Sequence, residues 1–263
     1  MIGLSLAPWI ISDIGTDKLK QIKDAGVESI EIRNVFAGQD AEEALKIADI
    51  VWKSGMNISI HSDLHTHGAC LDEVVYPIER IIENLQQPVL NITVHSIKNH
   101  ECSEAPTIGA VRDIALALKN KPVTVALENN RHKNDDDPCD TVAGVEKSIK
   151  MLNLCNVKAC WDMGHDYYNN LTFTDNPQAM PSKYFLMNTA HTHIHSVCNG
   201  STHFPLCVEH PMLHSYLKAL KESDYKGIYN LEICFDRFEG IYTFDEAVFS
   251  SIKVLSKELD LLG

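Results

Sequence analysis

Three histidines alternate along one short segment, at His191, His193 and His195. In a β-strand, alternate side chains share a face, so these three rings would lie together while Thr192 and Ile194 point the other way. Neutral imidazole is a frequent ligand of divalent metal ions, and such a face could bind one. The segment alone leaves a second interpretation open, a surface strand whose histidines are solvated.

Acidic and imidazole side chains recur near the ends of short apolar runs, at intervals of 30 to 39 residues: Glu31, His61, His95, Glu128, Asp162, His193 and Glu232. Within each run, residues of the same parity are small or polar, as Ser59 is before His61. Residues of the opposite parity are apolar, so one face of each strand is polar. Buried carboxylates are strongly destabilising unless a cation or hydrogen bonds compensate them. The pattern therefore favours a metal site.

Short β-branched runs alternate with amphipathic stretches from end to end. The predicted strands are Ile2–Leu6, Val27–Arg33, Asn57–His61, Val89–His95, Val123–Glu128, Val157–Asp162, Thr189–His195 and Gly227–Ile233. The predicted helices are Thr16–Ala25, Asp40–Ser54, Leu71–Leu85, Ala105–Lys119, Asp140–Leu154, Pro177–Met187, Pro211–Ser223 and Thr243–Leu261.

Eight strand–helix units without a break in composition predict an α/β chain folded as a single (β/α)8 TIM barrel, one domain over residues 1–263. A doubly wound open sheet is the structural alternative. In a (β/α)8 barrel the carboxyl ends of the strands converge on one mouth, where active sites lie. Residues 200 positions apart would then meet.

The composition and charge of the chain limit the classes of partner and cofactor that it is expected to bind. The net charge of −13 has the wrong sign for holding nucleic acid by its phosphates. The sequence contains no run of 18 apolar residues, so no membrane span is predicted. The N-terminus is typical of a first strand and not of a signal peptide. Eight cysteines without a Cys-x-x-Cys pair indicate a reduced, cytoplasmic protein. No glycine-rich phosphate cradle is present, so a nucleotide cofactor is not expected.

The strongest ligand set is Glu128, Asp162, His193 and Glu232. Three carboxylates and one imidazole suit Mn²⁺, Mg²⁺ or Co²⁺, and also Zn²⁺. Gly164, before His165, would permit a tight turn at the rim. Four further histidines could complete a second metal site, hydrogen-bond the substrate or serve only as structural groups: His61, His95, His165 and His203.

These segments together resemble the xylose-isomerase-like TIM-barrel superfamily of sugar phosphate isomerases and epimerases, which also contains the endonuclease IV type of DNA-repair enzyme. The resemblance is carried by Ser-Ile-Glu-Ile-Arg, Ser-Ile-His-Ser, Thr-Val-His-Ser, Ala-Leu-Glu-Asn-Asn, Trp-Asp-Met-Gly-His, Thr-His-Ile-His and Asn-Leu-Glu-Ile. It implies that the ligand set binds one divalent ion, usually Mn²⁺ or Zn²⁺. It also implies that Glu128 and Glu232 are the catalytic acid–base pair.

The implied activity is isomerisation or epimerisation of a small sugar or polyol-derived ketone through an enediolate that the ion stabilises. A metal-dependent dehydratase is the alternative, although its Glu-x-His pair would read Glu128-Asn129-Asn130 here. An endonuclease is less favoured because its Asp-x-His pair reads Ser201-Thr202-His203. A non-catalytic barrel that binds a metabolite is a fourth hypothesis.

Substrate contacts are predicted at Trp9, Glu31, Arg131 and Arg237. An arginine near the mouth could clamp a phosphate or a carboxylate, although exposed loop arginines are more often only solvated. The family often forms dimers or tetramers, and the resemblance extends the expectation of a homo-oligomer to this chain.

Overall fold

Eight parallel strands close into a barrel in the computed structural model, which describes residues 1–33, 41–62, 71–86, 89–94, 107–132, 137–174 and 176–263. Around the barrel the strand order is β1, β10, β7, β6, β5, β4, β3 and β2. These strands are β1 Ile2–Leu6, β2 Val27–Arg33, β3 Asn57–His61, β4 Val89–Val94, β5 Thr124–Glu128, β6 Val157–Asp162, β7 Thr189–Ile194 and β10 Ile228–Leu231. The fold is the predicted (β/α)8 barrel, and the open-sheet alternative is wrong.

Helices alternate with these strands. They are α1 Pro8–Asp24, α2 Ala41–Lys53, α3 Leu71–Leu85, α4 Thr107–Ala117, α5 Val142–Leu152, α6 Met163–Phe173, α7 Lys183–Met187, α8 Leu213–Glu222 and α9 Phe244–Leu262. Two short antiparallel strands, β8 Ser196–Cys198 and β9 Ser201–Phe204, form a hairpin after β7 that the sequence did not predict. A 3-10 turn, Phe235–Arg237, follows β10.

Two predicted helices differ from the structure. Helix α1 begins at Pro8 and not at Thr16, because a first helical piece precedes the kink at Gly15, whose φ of 62° is left-handed. The predicted helix Pro177–Met187 is helical only over Lys183–Met187.

Helix α6 was not predicted because the residues that it buries are mostly polar or small and give no amphipathic period. They are Met163, Gly164, His165, Asp166 and Asn169. The helix starts directly after β6, and the Asp162 carboxylate caps it by accepting from the backbone N–H of His165 at 2.7 Å.

The two faces of the strands have opposite chemistry. Ile30, Ile32, Ile58 and Ile60 are buried with the surrounding apolar core. The lumen is polar and hydrogen-bonded: the Ser5 hydroxyl donates to Glu31, and the hydroxyls of Ser29 and Ser59 lie 3.3 Å apart. The parity pattern read from the sequence therefore describes the barrel correctly.

Two expectations about the whole chain can be compared with the structure. Among the described residues, no helix is both long and apolar enough to cross a membrane. None of the six described cysteines forms a disulfide: Cys139, Cys155, Cys160, Cys198, Cys207 and Cys234.

The approach of β10 to β7 requires a glycine. A Cβ at Gly227 would lie 2.1 Å from the Ala190 carbonyl oxygen and 2.5 Å from the Tyr225 hydroxyl. We expect Gly227→Ala to destabilise the protein by about 2 kcal/mol or more, because a backbone atom cannot move aside as a side-chain end can. Urea unfolding measures this free energy.

Gly109→Ala is the matched control for that measurement. Gly109 lies in α4, and a Cβ there meets nothing within 4 Å. Alanine favours a helix over glycine by about 1 kcal/mol, so this variant should be as stable as the wild type or more stable. Equal stability of the two variants would contradict the close approach.

Candidate metal centre

The four predicted ligands meet at the carboxyl-terminal mouth of the barrel. Glu128 and Asp162 end β5 and β6, His193 lies in β7, and Glu232 follows β10. Each offers one ligand atom, and the four atoms lie within 4.8 Å of one another. The register explains the meeting, since His193 is the Cα partner of Asp162 on one side and of Asn230 on the other. We call these four residues the ligand cluster.

The donor atoms of the ligand cluster suit a divalent cation. Oε2 of Glu128 and Oε2 of Glu232 are buried and accept no well-formed hydrogen bond from the described residues. Nδ1 of His193 lies 2.9 Å from Glu128 Oε1 and 3.2 Å from Glu232 Oε2. Two under-satisfied buried carboxylates beside an imidazole are consistent with a divalent metal ion.

Electrostatics keeps the carboxylates ionised. Burial alone would raise the pKa of Glu128, but attraction and a hydrogen bond from His193, together with the nearby ring of His61, lower it to about 2. Burial also acts to raise the pKa values of Asp162 and Glu232, but the neighbouring histidines have the larger effect. Both pKa values therefore lie well below their usual range. Burial would lower the pKa of His193, but Cys160, Glu232, Glu31 and Glu128 raise it far above its usual value. The imidazolium of His193 therefore compensates charge where a cation would otherwise do so.

Glu31 lies beneath the ligand cluster and is fully buried. Its carboxylate accepts from Ser5, Thr93, His191, His193 and Asn230 at 2.5 to 3.0 Å. The bond from Nε2 of His193 leaves Nδ1 of the same ring facing the cluster. A carboxylate that holds the far nitrogen of a ligand histidine fixes the ring orientation. The prediction that Glu31 contacts substrate remains untested; its contacts here are with the protein interior.

Asn129 holds the backbone of Asp162. Its side-chain amide donates to the Asp162 carbonyl oxygen and accepts from the Asp162 N–H, both at 2.9 Å. Asn129 is not among the site residues predicted from the sequence. The signal available was its position directly after Glu128, where a strand enters the mouth.

Gly164, at this end of β6, does not have the role predicted for it. Gly164 does not form a tight rim turn, because it lies inside helix α6. It provides space instead: a Cβ there would lie 2.0 Å from the ring of His195. A glycine is required here because the His195 ring occupies the space beside it, and not because the backbone turns.

The four additional histidines have different positions. His61 stacks on His193 with centroids 5.4 Å apart, and its Nε2 lies 3.3 Å from Glu128 Oε2. His165 and His203 bring their Nε2 atoms to 3.2 Å. Burial, followed by repulsion from His195, lowers the pKa of His203 to about 4. His95 lies outside the described residues.

His165, His195 and His203 form a second group of three ligand atoms within 4.8 Å. The sequence predicts that the loop after β7 lacks one metal ligand of the endonuclease branch. His195, directly after β7, adds a ring nitrogen to this group, although both its ring nitrogens have partners among the described residues.

A small cavity of about 130 Å³ opens beside Glu232. It is lined by Ser5, Trp9, Arg33, Phe235 and Asp236, among others. Trp9 is 61% exposed, and Nε of Arg33 lies 3.7 Å from Glu232 Oε1. Arg33 was not predicted as a site residue, although it shares parity with Glu31 and ends β2, which places it at the mouth.

The predicted substrate contacts include two arginines, Arg131 and Arg237. Arg131 is partly buried, and its backbone N–H donates to the Asn130 side chain at 2.8 Å. Arg237 is exposed in the 3-10 turn after β10. Neither has a described ion pair with the ligand cluster.

Comparisons with known proteins agree on the fold. A family model described as xylose isomerase-like TIM barrel matches residues 19–257. A search of curated proteins gives no significant match.

Three solved structures illustrate the similarity. They are 3-keto-D-glucoside 4-epimerase YcjR from E. coli in its apo form (15% identity, TM-score 0.63, covering 99% of this chain and 98% of that one), a xylose isomerase-like TIM barrel protein from Mycobacterium smegmatis in complex with magnesium (12%, 0.63, 99% and 97%), and D-psicose 3-epimerase with D-tagatose from Clostridium cellulolyticum H10 (14%, 0.61, 98% and 94%). At these identities the likeness shows the fold alone.

The buried carboxyl group of Asp166 is expected to make the stability of the protein depend on pH. Burial raises the pKa of Asp166 to about 7, with a further contribution from the charge of Asp162, although hydrogen bonds from Trp161 and Asn170 oppose the rise. Because the folded state binds this proton more tightly than the unfolded state does, Asp166 lowers stability progressively as pH rises from about 4 to about 7. Asp166→Asn removes this cost, and the Asn170 amide can reorient to accept from the new amide.

We expect the stability of Asp166→Asn relative to wild type to increase between pH 4 and pH 7.5, by up to about 4 kcal/mol. Urea unfolding of both proteins at several pH values isolates this difference from the other titrating groups. Asp13→Asn, which makes the same substitution at an exposed position, is the control. A flat difference for Asp166→Asn would contradict the raised pKa.

Proposed function

Because the chain belongs to the xylose isomerase-like TIM barrel family, we propose that it is a divalent-metal-dependent isomerase or epimerase of a small sugar or polyol-derived ketone. The observation that carries the proposal is the buried ligand cluster, in which Glu128 and Glu232 each present an under-satisfied oxygen at the mouth. Active sites of (β/α)8 enzymes lie at this end of the barrel.

Glu128, Asp162, His193 and Glu232 would hold the ion, and their oxygen-rich donor set suits Mn²⁺ or Mg²⁺ and also admits Zn²⁺ or Co²⁺. When bound, the ion supplies the positive charge that stabilises an enediolate. The magnesium complex of the Mycobacterium smegmatis xylose isomerase-like TIM barrel protein supports a divalent ion. The D-tagatose complex of D-psicose 3-epimerase supports a sugar as the class of substrate.

Proton transfer is assigned to the two glutamates. One carboxylate removes the proton α to the substrate carbonyl, and the carboxyl of the other returns a proton to the neighbouring carbon or to the opposite face of the same carbon. Glu128 and Glu232 come from strands on different sides of His193 in the barrel order, so they can approach a substrate from different directions. Both are ionised at neutral pH in the metal-free protein, so either can accept the proton. The glutamate that donates must first take up a proton from solvent, and the other releases the proton that it removed to solvent when the cycle ends.

The remaining groups at the mouth would orient the substrate. His61 and His165 are buried beside the cluster and can donate to hydroxyl groups. Arg33 and the exposed Trp9 line the cavity beside Glu232, where a guanidinium and an aromatic ring could contact the part of the substrate away from the reacting carbons.

The direct test combines metal analysis, solvent exchange and one variant. Wild type loaded with Mn²⁺ should bind one ion per chain and incorporate solvent deuterium next to the carbonyl of a ketose or inosose substrate. Glu232→Gln should lower turnover by about 10² to 10⁴-fold, because the amide cannot transfer the proton. Calorimetric Mn²⁺ titration should also show weaker binding.

Glu222→Gln is the matched control, since Glu222 is an exposed residue of α8 that pairs only with Lys218 among described residues. Full turnover and full metal content in Glu232→Gln would refute the assignment. Deuterium exchange accompanied by loss of water from the substrate would instead identify a dehydratase. Binding of three ions would favour the phosphodiesterase, and binding of none would favour a metabolite-binding barrel.

A further inference from the structure

His195 is a buried histidine that the proposed mechanism does not use. It follows β7 by one residue and is fully buried, yet it does not belong to the ligand cluster. A buried imidazole must have partners for its polar atoms, or it destabilises the fold. The partners of His195 therefore indicate what it does.

Both ring nitrogens of His195 have short contacts. The backbone N–H of His203 donates to Nδ1 at 2.9 Å, and the Ser196 carbonyl oxygen is farther from that atom, at 3.3 Å. Because Nδ1 accepts, the ring proton lies on Nε2. Nε2 in turn lies 3.1 Å and 3.2 Å from the two carboxylate oxygens of Asp162. The ring thus donates to a residue of the ligand cluster.

The surroundings of His195 hold its ring in place. The ring lies against those of His203 and His165, with centroids 4.3 Å and 5.2 Å away. On another side it fills the space above Gly164, where any Cβ would lie within 2.6 Å of three ring atoms. A ring confined in this way can define the direction of the hydrogen bond that it donates.

The backbone donor to His195 is itself constrained. His203 adopts a left-handed φ of 65° in the hairpin strand β9, a conformation that a residue with a side chain holds only when its surroundings stabilise it. Its carbonyl oxygen accepts from the N–H of Cys234 at 3.0 Å, two residues beyond Glu232. The hairpin therefore connects the Asp162 side of the cluster with the Glu232 side.

We propose that His195 is a positioning residue for Asp162: the His203 backbone selects its Nε2–H tautomer, and that N–H orients the Asp162 carboxylate toward the divalent cation. This inference rests on the proposed function for the identity of the cation. Partners that orient metal ligands typically change metal affinity by about 10- to 100-fold when they are removed.

The tautomer can be tested without any metal. In ¹⁵N-labelled, metal-free wild type, long-range ¹H–¹⁵N spectra of the histidine rings should show His195 as the Nε2–H form, assigned by its loss in His195→Gln. Observation of the Nδ1–H form would overturn the inference whether or not the protein binds a metal. This readout separates failure of the inference from failure of the proposed function.

The positioning role is tested by Mn²⁺ titration calorimetry on three variants. His195→Leu, which cannot donate, should raise the Kd about 10- to 100-fold while one ion still binds. His195→Gln, whose amide can donate to Asp162, should restore most of the lost affinity. His214→Leu is the matched control, because His214 is half-exposed on α8 and pairs with Glu258, and it should bind as wild type does.

Unchanged affinity in His195→Leu would overturn the inference. So would a wild type that binds two ions and loses one in His195→Leu, since His195 would then be a ligand and not a positioning residue. Unfolding of each metal-free variant in urea gives the loss of stability separately from the loss of affinity. A loss of affinity that glutamine does not restore would also count against the hydrogen bond as the cause.

Discussion

Four carboxylates are buried at one end of a polar barrel lumen, and their charge constrains the rest of the structure. Glu31, Glu128, Asp162 and Glu232 have almost no exposed surface, and transfer of an ionised carboxylate out of water is costly unless partners compensate it. The compensation comes from histidines, hydroxyls, amides and one guanidinium. Each of these groups must therefore point inward, which determines the character of the strands that carry them.

The compensation is uneven, and its pattern separates two levels within the lumen. Glu31, the deeper carboxylate, is saturated by five donors and acts on the protein interior. Glu128 and Glu232, nearer the mouth, each keep a buried oxygen without a well-formed hydrogen bond. The deeper level is thus satisfied by the chain alone, whereas the upper level retains the capacity to bind a cation and a substrate.

Asp162 is held in place by contacts to both its backbone and its carboxylate. Its backbone is held by Asn129 of the preceding unit, its carboxylate begins helix α6, and the same carboxylate receives the N–H of His195. A side chain with this many constraints has little freedom to turn, which is what a preorganised metal ligand requires. The unpredicted hairpin after β7 contributes through the backbone of His203, so an irregular loop takes part in the geometry of the centre.

The barrel, its strands and the four members of the ligand cluster could be predicted from the order of residues. Period-two alternation and a spacing of about one strand–helix unit depend only on local backbone geometry and on the closure of a regular barrel. These signals are present in the residue order, so it predicts that Glu128, Asp162, His193 and Glu232 lie together. Arg33 could have been found by the same parity.

The roles of Asn129, Gly164 and His195 could not be predicted in the same way, because they depend on contacts between distant parts of the chain. Their partners are Asp162, the His195 ring and the His203 backbone, which lie 8 to 33 residues away along the chain. Helix α6 and the hairpin had no period to reveal them, because one buries polar residues and the other depends on a left-handed residue. Contacts of this kind depend on the three-dimensional packing of side chains, which cannot be read directly from the order of residues.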